Sequence, residues 1–173
     1  ILREAYQQGL LDGVTWLLSE GLQSDQLAAT VGQTADGKFI IEGLRGTRPK
    51  AVGPAYEAFA DAYAAAYGSQ PTGPYDAHTY DAAIIAVLAT EAAGEANGAA
   101  VRDHVVAVSA PPGEPCTSVA QCLELLRNGQ EIDYEGASGS VNMDEVGDVL
   151  ADYEIWEVQA DGTTKVVGDV TTQ

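Results

Sequence analysis

The chain has 173 residues, 46% of them hydrophobic, which suffices for one ordinary domain and is short for two complete ones. Its 26 acidic and 8 basic residues give a formal net charge of -18, and such a surface disfavours nucleic acids and anionic lipids as partners. The longest apolar stretch, around Ala82 to Ala93, is too short to span a membrane and includes Thr90 and Glu91. The charge favours solubility or adaptation to salt over a specific cationic partner.

The first fifty residues predict alternating helices and strands. The chain starts at Ile1 inside a helix, without an initiator Met or a signal peptide, so we expect an upstream segment to have preceded it. Such alternation of helices and strands is typical of a parallel α/β sheet. The predicted elements are a helix over 1–8 ended by Gly9, a buried strand over 13–18, a helix over 27–30 capped by Ser24 or Ser19, and a strand over 38–41 after the Asp36-Gly37 turn.

A basic segment, GLRGTRPK, then interrupts the acidic sequence, and its residues from Leu44 to Lys50 predict a linker. Beyond it, residues 55–67 place aromatic side chains at helical spacing, which favours a core-facing helix over a cofactor site. The Ala-rich stretch 75–93 is apolar on most sides, so we expect a largely buried helix.

The rest of the chain changes from helices to strands. Further helices are predicted over 99–108 and 119–127. The tail alternates between strand and turn, as in a run of antiparallel strands. Its predicted strands cover 140–143, 153–158 and 164–167, separated by turns at 144–148 and 160–162.

Two cysteines, Cys116 and Cys122, lie where a Pro-rich loop runs into a helix. Two local cysteines suit a disulfide in an oxidising compartment, with two free thiols as the alternative. A zinc site would need further Cys or His ligands at suitable spacing, and His78 and His104 lie in separate predicted helices.

The known catalytic and cofactor motifs are incomplete. Ser138 lies in Gly-Ala-Ser-Gly-Ser, which lacks the second glycine of a nucleophile elbow and suits a tight connection better. The acidic turn around Gly147 has Val146 and Tyr153 where a calcium loop needs oxygen ligands. Gly43-Leu44-Arg45-Gly46 does not form a phosphate loop, so no nucleotide is implied. Because all these motifs are incomplete, we expect no catalysis, no bound metal and no cofactor.

Glu20 is the one acid singled out by its position, because it directly follows the predicted strand 13–18. Ligands of α/β sheets bind beyond the carboxyl ends of the strands. A carboxylate there can pair with a ligand ammonium group. From position alone, a solvated or helix-capping Glu20 is an equal alternative.

Several short motifs occur in an order that resembles the C-terminal part of the type I periplasmic binding proteins, the leucine/isoleucine/valine-binding family. The resemblance covers almost the whole chain, and it rests on the order of the motifs because each is weak alone. The motifs are ILREAYQQG at the start, Pro74-Tyr75-Asp76-Ala77-His78-Thr79-Tyr80-Asp81, Asp133-Tyr134-Glu135-Gly136-Ala137-Ser138-Gly139, Met143-Asp144-Glu145-Val146-Gly147-Asp148 and Tyr153-Glu154-Ile155-Trp156-Glu157-Val158.

The resemblance implies an α/β fold with two Rossmann-like lobes, present here as a C-terminal fragment that holds parts of both lobes. Residues 1–43 would belong to the C-terminal lobe, and residues 44–149 would form the helix-rich part of the N-terminal lobe. Residues 150–173 would return to the C-terminal lobe. The crossovers would lie near 44–49 and 147–153.

Family members bind an amino acid between their lobes, and the resemblance carries two ligand contacts over to this chain. Glu20, in Leu-Ser-Glu-Gly-Leu, matches the acid that contacts the ligand ammonium group. Tyr80 matches an aromatic that closes over the ligand, with packing inside the lobe as its alternative. The other ligand-binding groups of the family would lie in the missing N-terminal part.

The implied function is that of the solute-binding component of an ABC uptake transporter. It would bind branched-chain or other amino acids, or small amides, in the periplasm or at the cell surface, and pass them to a membrane permease. The exposed surfaces of a fragment would allow a dimer. A sensory or regulatory domain of the same fold is the first alternative, and a small α/β hydrolase that uses Ser138 is a weaker one.

Overall fold

The computed structural model describes residues 1–172, and the chain divides into two compact units. The first unit combines residues 1–50 with the residues from Asp152 onward, and the second is Ala51–Ala151. The sequence placed these divisions after residues 43 and 149, and the assignment of the parts to lobes stays a prediction. The elements in chain order are α1 (Leu2–Gln7), β1 (Leu17–Leu18), a 3-10 turn (Glu20–Leu22), α2 (Leu27–Val31), β2 (Arg45–Pro49), α3 (Tyr56–Tyr67), α4 (Asp76–Ala93), α5 (Gly98–His104), β3 (Glu114–Cys116), α6 (Val119–Arg127), β4 (Ile132–Tyr134), β5 (Tyr153–Val158) and β6 (Thr164–Val170).

The first unit contains a four-stranded sheet in the order β1-β2-β5-β6. β1 pairs with β2 in parallel, and the β2–β5 and β5–β6 pairs are antiparallel. The sheet is therefore mixed: the first fifty residues predicted parallel strands, which holds only for β1 and β2, and the antiparallel run predicted for the tail is confirmed by β5 and β6. Its core is a cluster of buried side chains: Leu2, Leu18, Ala28, Val31, Ile41, Trp156 and Val158.

The linker predicted over 44–50 was wrong, because Arg45–Pro49 is strand β2, which pairs on both sides. The basic residues of this segment pair with acids on β5 and β6. Arg45 lies 2.7 Å from Glu157, and Arg48 lies 2.6 Å from Glu154. Lys50 lies 2.9 Å from Asp169. The positive charges of this segment are therefore used in ion pairs between strands of the sheet.

The two strands predicted in the first fifty residues were also wrong in extent or type. Only Leu17 and Leu18 of the stretch 13–18 pair with β2, and Val14 and Leu17 are exposed. Residues 38–41 form no strand. Instead, the chain turns back at Gly37, and Phe39 makes an isolated bridge to Gln33. These residues lack a neighbouring strand with which to extend the ladder, and Ile41 is buried without being in the sheet.

The second unit packs helices on a two-stranded parallel sheet, β3–β4. Neither strand was predicted from the sequence, and residues 140–143, predicted as a strand, contribute only a bridge from Met143 to Val149. The core of this unit consists of Ile85, Leu88, Ala89, Val108, Cys116, Cys122, Ile132, Tyr134 and Val141.

The periodic helices were predicted well: α3 and α4 begin within a residue of the predicted starts, and α6 has the predicted bounds. Helix α5 is shorter than predicted and ends at His104, followed by turns. The expectation that α4 is largely buried was wrong. Ala82, Ala83, Ala86 and Val87 form an exposed face, because α4 packs on α5 and α6 from its other side.

Candidate functional site

Glu20 lies just past the carboxyl end of β1, as the first residue of the 3-10 turn Glu20–Leu22. Ser19 is the extended residue before this turn, and its side chain makes no capping hydrogen bond. The Glu20 side chain is partly buried. A partly buried carboxylate at this end of a parallel strand has the position that an ammonium-binding acid needs.

Arg48 of β2 is a cation close to this turn, and it is already engaged. Its guanidinium pairs with Glu154 at 2.6 Å and reaches Gln23 Oε1 at 3.4 Å, so it connects β2 to the residue after the turn. An arginine held by an acid on β5 fixes the position of the turn relative to the sheet.

Tyr80 lies on α4 in the second unit and is partly buried. Its ring packs on Phe59 of α3 with the centroids 5.0 Å apart. Phe59 in turn contacts Tyr56 and Tyr63, with centroid distances of 6.1 and 5.8 Å. Tyr80 therefore takes part in an aromatic cluster between α3 and α4, which is the packing role that the sequence left open.

His78 precedes Tyr80 in the first turns of α4, and its Nδ1 is buried without a hydrogen-bond partner. Burial lowers the pKa of His78, while the nearby Asp81 charge acts in the opposite direction. The imidazole also makes an edge contact with the ring of Tyr75 at 6.1 Å.

Asp81, which the sequence reasoning did not select, is 2% exposed. Its Oδ1 accepts hydrogen bonds from Tyr134 Oη at 2.8 Å and from Ala137 N at 2.9 Å. Its Oδ2 accepts from Ser138 N at 2.7 Å and from Ser138 Oγ at 2.5 Å. Burial, with the Asp81 charge as a further cause, raises the pKa of Tyr134, so its hydroxyl stays a donor.

Asp81 had a signal in the sequence. It occupies the same face of α4 as the buried residues Ala77, Ile85 and Leu88, at helical spacing. A carboxylate on a buried face needs partners, and the small-residue run Gly136–Gly139 offers backbone donors.

Ser138, the candidate nucleophile of the hydrolase alternative, is buried and donates its hydroxyl hydrogen to Asp81.

The acidic turn at 144–148 is an ordinary one: Asp144 Oδ1 accepts from the amides of Val146 and Asp148 at 2.9 Å each. Within residues 1–172, no three His, Cys, Asp or Glu side chains come together in a way that could hold a metal ion.

Cys116 and Cys122 form a disulfide with their Cα atoms 5.5 Å apart. The bond joins the end of β3 to the first turns of α6, and both residues are buried in the core of the second unit.

No single helix within residues 1–172 is long and apolar enough to cross a membrane. Helices α4 and α5 reach that length and composition only together, across a bend of 100°.

The chain matches the family described as the receptor family ligand binding region over residues 1–161. Its fold is similar to that of the leucine binding protein LivK from Thermotoga maritima, with a TM-score of 0.65 at 22% identity over 99% of this chain. A putative branched-chain amino acid ABC transporter protein from Rhodospirillum rubrum matches with a TM-score of 0.50, also at 22% identity, over 96% of this chain.

Among curated proteins, the chain is 27% identical over 146 residues to BasB from Halobacterium salinarum, a substrate-binding protein of a chemotactic signal transduction system. That match covers 76% of this chain and 35% of BasB. The chain also spans 41% of the LivK chain and 40% of the Rhodospirillum rubrum chain.

Together, the fold and the matches define part of a ligand-binding region of the type I periplasmic binding class. The chain belongs to the receptor ligand-binding family, and the resemblance that its motifs predicted is confirmed. It covers part of this α/β fold, as the 41% share of the LivK chain shows.

Proposed function

We propose that this chain is the part of a solute-binding protein that supplies the ammonium-binding acid, Glu20, for an amino acid or a small amide. The observation that carries the proposal is the position of Glu20 directly beyond the carboxyl end of parallel strand β1, in a chain of a ligand-binding family. Apart from Tyr80, the remaining ligand contacts would come from the rest of the binding site of the whole protein.

The chemistry of Glu20 suits an α-amino acid. A carboxylate hydrogen-bonded to an ammonium group is a charge-assisted pair, and partial burial strengthens it relative to water. The named functions of LivK and of the Rhodospirillum rubrum protein support branched-chain amino acids as the first ligands to test.

Tyr80 is proposed as a second ligand contact, because the residue stays partly exposed while its ring packs on Phe59. Its packing on Phe59 limits the rotamers of the ring. A preorganised ring loses little entropy when it covers a ligand.

The protein is proposed to act outside the cytoplasm, in the periplasm or at the cell surface, and to pass its ligand to an ABC transporter permease. The disulfide between Cys116 and Cys122 supports an oxidising compartment. Closure of two lobes around the ligand would then be favoured by the higher affinity of the closed state. A dimer of the isolated chain through its exposed surfaces is proposed as well.

A sensory role is the second candidate, and the match to BasB favours it, since BasB belongs to a chemotactic system. A carrier and a sensor would bind the ligand with the same chemistry, and they would differ in the protein to which the ligand-bound form binds. Deletion of the gene in the source organism separates them: a carrier is needed for uptake of labelled leucine, and a sensor for movement towards leucine.

Thermal unfolding of the natural gene product that contains this chain, against a panel of amino acids and small amides, tests the binding function. We expect one class of compounds to raise the unfolding temperature progressively with concentration, as linkage requires. Glu20→Gln should abolish the increase, and Glu42→Gln, the same change at an exposed acid of the first unit, should retain it. A folded protein that no compound stabilises would contradict the proposal.

A further inference from the structure

The chain passes between the two units at Lys50–Ala51 and again at Ala151–Asp152. On the side of the first unit, Lys50 N donates to Asp152 O at 2.9 Å, which ties the two passages together at the end of the sheet. Two residues further along the chain, from Val52 onward, the backbone forms hydrogen bonds within the second unit.

That second attachment is a backbone ladder between residues 52–55 and the loop Gly136–Gly139, here termed the 136–139 loop. Val52 N donates to Ser138 O at 3.2 Å, and Gly53 N donates to Ala137 O at 3.0 Å. Ala55 N donates to Gly136 O at 3.2 Å. Among the backbone hydrogen bonds of residues 1–172, those of Lys50 N in the first unit and of Val52 N in the second unit therefore flank Ala51 on this passage.

The 136–139 loop owes its shape to Asp81. The carboxylate accepts the amides of Ala137 and Ser138 and the Ser138 hydroxyl, so it holds three donors of a four-residue loop. It also approaches Gly136 so closely that a Cβ atom there would lie 2.4 Å from Oδ2. The 136–139 loop and the Asp81 carboxylate therefore pack together as one buried cluster.

The ladder itself is equally tight. A Cβ atom at Gly53 would lie 2.0 Å from Gly136 O and 2.7 Å from Gly139 N. Only glycine at position 53 therefore lets residues 52–55 lie against the loop.

We propose that Asp81 is a positioning residue for the passage between the units: it fixes the 136–139 loop, and through it residues 52–55, so that bending on this passage is confined to Ala51. This inference rests on the proposed ligand-driven closure for its functional meaning. Hinges are a few residues that absorb changes in backbone angles, and backbone attachments on both sides of Ala51 leave this residue to absorb them.

Amide hydrogen exchange of this chain tests the positioning role without any ligand. In Asp81→Asn, an NH2 group replaces one of the two carboxylate oxygens, so in either orientation the loop loses an acceptor for Ala137 N or for Ser138 N. We expect the protection of the Val52 and Gly53 amides, relative to that of the Cys122 amide in α6, to fall at least about tenfold. Ser109→Ala removes a different buried hydrogen bond of the same unit, from Ser109 Oγ to Val105 O, and should leave this ratio unchanged.

A second variant keeps the test decisive if Asp81→Asn does not fold. Gly53→Ala places a Cβ atom against the loop without touching Asp81, and it should lower the same ratio. Gly98→Ala, where an added Cβ atom meets nothing within 4 Å, is its matched control. An unchanged ratio in either Asp81→Asn or Gly53→Ala would overturn the proposal.

The link to function is tested with L-leucine as the probe and the natural gene product as the protein. If the unsubstituted protein binds L-leucine, Asp81→Asn should weaken binding about tenfold while Ser109→Ala leaves it unchanged. Equal affinity in Asp81→Asn, with residues 52–55 loosened, would overturn the role in closure. Absence of binding to the unsubstituted protein would count against the proposed ligand class, and the exchange ratio would still decide the role of Asp81.

Discussion

Gly46 of β2 lies directly against the indole ring of Trp156 of β5, its partner in the strand register. A Cβ atom at Gly46 would come within 2.3 Å of Trp156 Cζ2 and 2.6 Å of Leu18 O. Trp156 is completely buried, so the ring has no room to retreat. The two residues therefore set the spacing at the centre of the first unit.

Gly46→Ala should destabilise the first unit by about 1–3 kcal/mol, the usual cost of overpacking a core. Both tryptophans of the chain, Trp16 and Trp156, lie in this unit, so tryptophan fluorescence during urea unfolding measures its stability. Gly21→Ala, where the nearest atom is 3.8 Å away, is the control and should change little. Equal stability of the two variants would contradict the close packing.

Loss of the Cys116–Cys122 disulfide should destabilise the second unit by about 2 kcal/mol, because a crosslink over six positions restricts a short loop of the unfolded chain. Urea unfolding followed by circular dichroism, with and without a reducing agent, measures the change. A Cys116→Ala, Cys122→Ala double variant should show the lower stability and no further response to reductant. Full stability after verified reduction would contradict a structural role of the bond.

Neutralising Asp133 should stabilise the chain at pH 7. Burial raises the pKa of the Asp133 carboxyl, and burial together with the Asp133 charge raises the pKa of Glu135. A carboxyl whose pKa is higher in the folded state favours folding at low pH, and this contribution is lost as the pH rises through the folded-state pKa.

Asp133→Asn should therefore raise the unfolding temperature at pH 7, and the gain should shrink as the pH approaches the ordinary carboxyl range, about 4. Glu95→Gln, at an exposed position of the same unit, serves as the matched control and should show no such trend. A loss of stability in Asp133→Asn at pH 7 would mean that the charged form is the favoured one in the folded state.

Salt should stabilise this chain strongly. Arg45, Arg48, Lys50, Arg102 and Arg127 are paired with acids, yet the 26 acidic residues far outnumber all 8 bases. The uncompensated carboxylates repel one another in the compact state, and salt screens that repulsion. The unfolding temperature should rise by several degrees between about 0.05 and 1 M KCl.

Glu57 and Asp61 give this prediction a local control, because they are exposed acids one turn apart on α3. Like charges at this spacing destabilise a helix. A Glu57→Gln, Asp61→Asn variant should unfold at a higher temperature in low salt and show a smaller salt response. A salt-independent unfolding temperature would contradict the repulsion argument.

The helices α3, α4 and α6 were predictable because their apolar residues recur at helical spacing over two turns or more. Strands β3 and β4 were not, since each has three residues and β3 contains Pro115, so neither shows a readable alternation. Their stability comes from pairing with each other across 15 or more intervening residues, which no local pattern reports.

The segment GLRGTRPK was misread for a related reason. Glycine, proline and positive charge are typical of a linker, but Gly46 makes room for Trp156, and the arginines pair with acids more than 100 positions away. Glu20 was selected because of its place after a strand, and its role stays a prediction. Asp81 was not selected, because its hydrogen-bond partners lie in a loop more than 50 positions later in the sequence.

The most direct test of the central claim is a calorimetric titration of the natural gene product with L-leucine and with 4-methylpentanoate, which lacks the ammonium group. If Glu20 binds that group, Glu20→Gln should weaken leucine binding at least about tenfold and leave the weaker binding of 4-methylpentanoate unchanged, while Glu42→Gln alters neither. Leucine binding of undiminished affinity in Glu20→Gln would contradict the account.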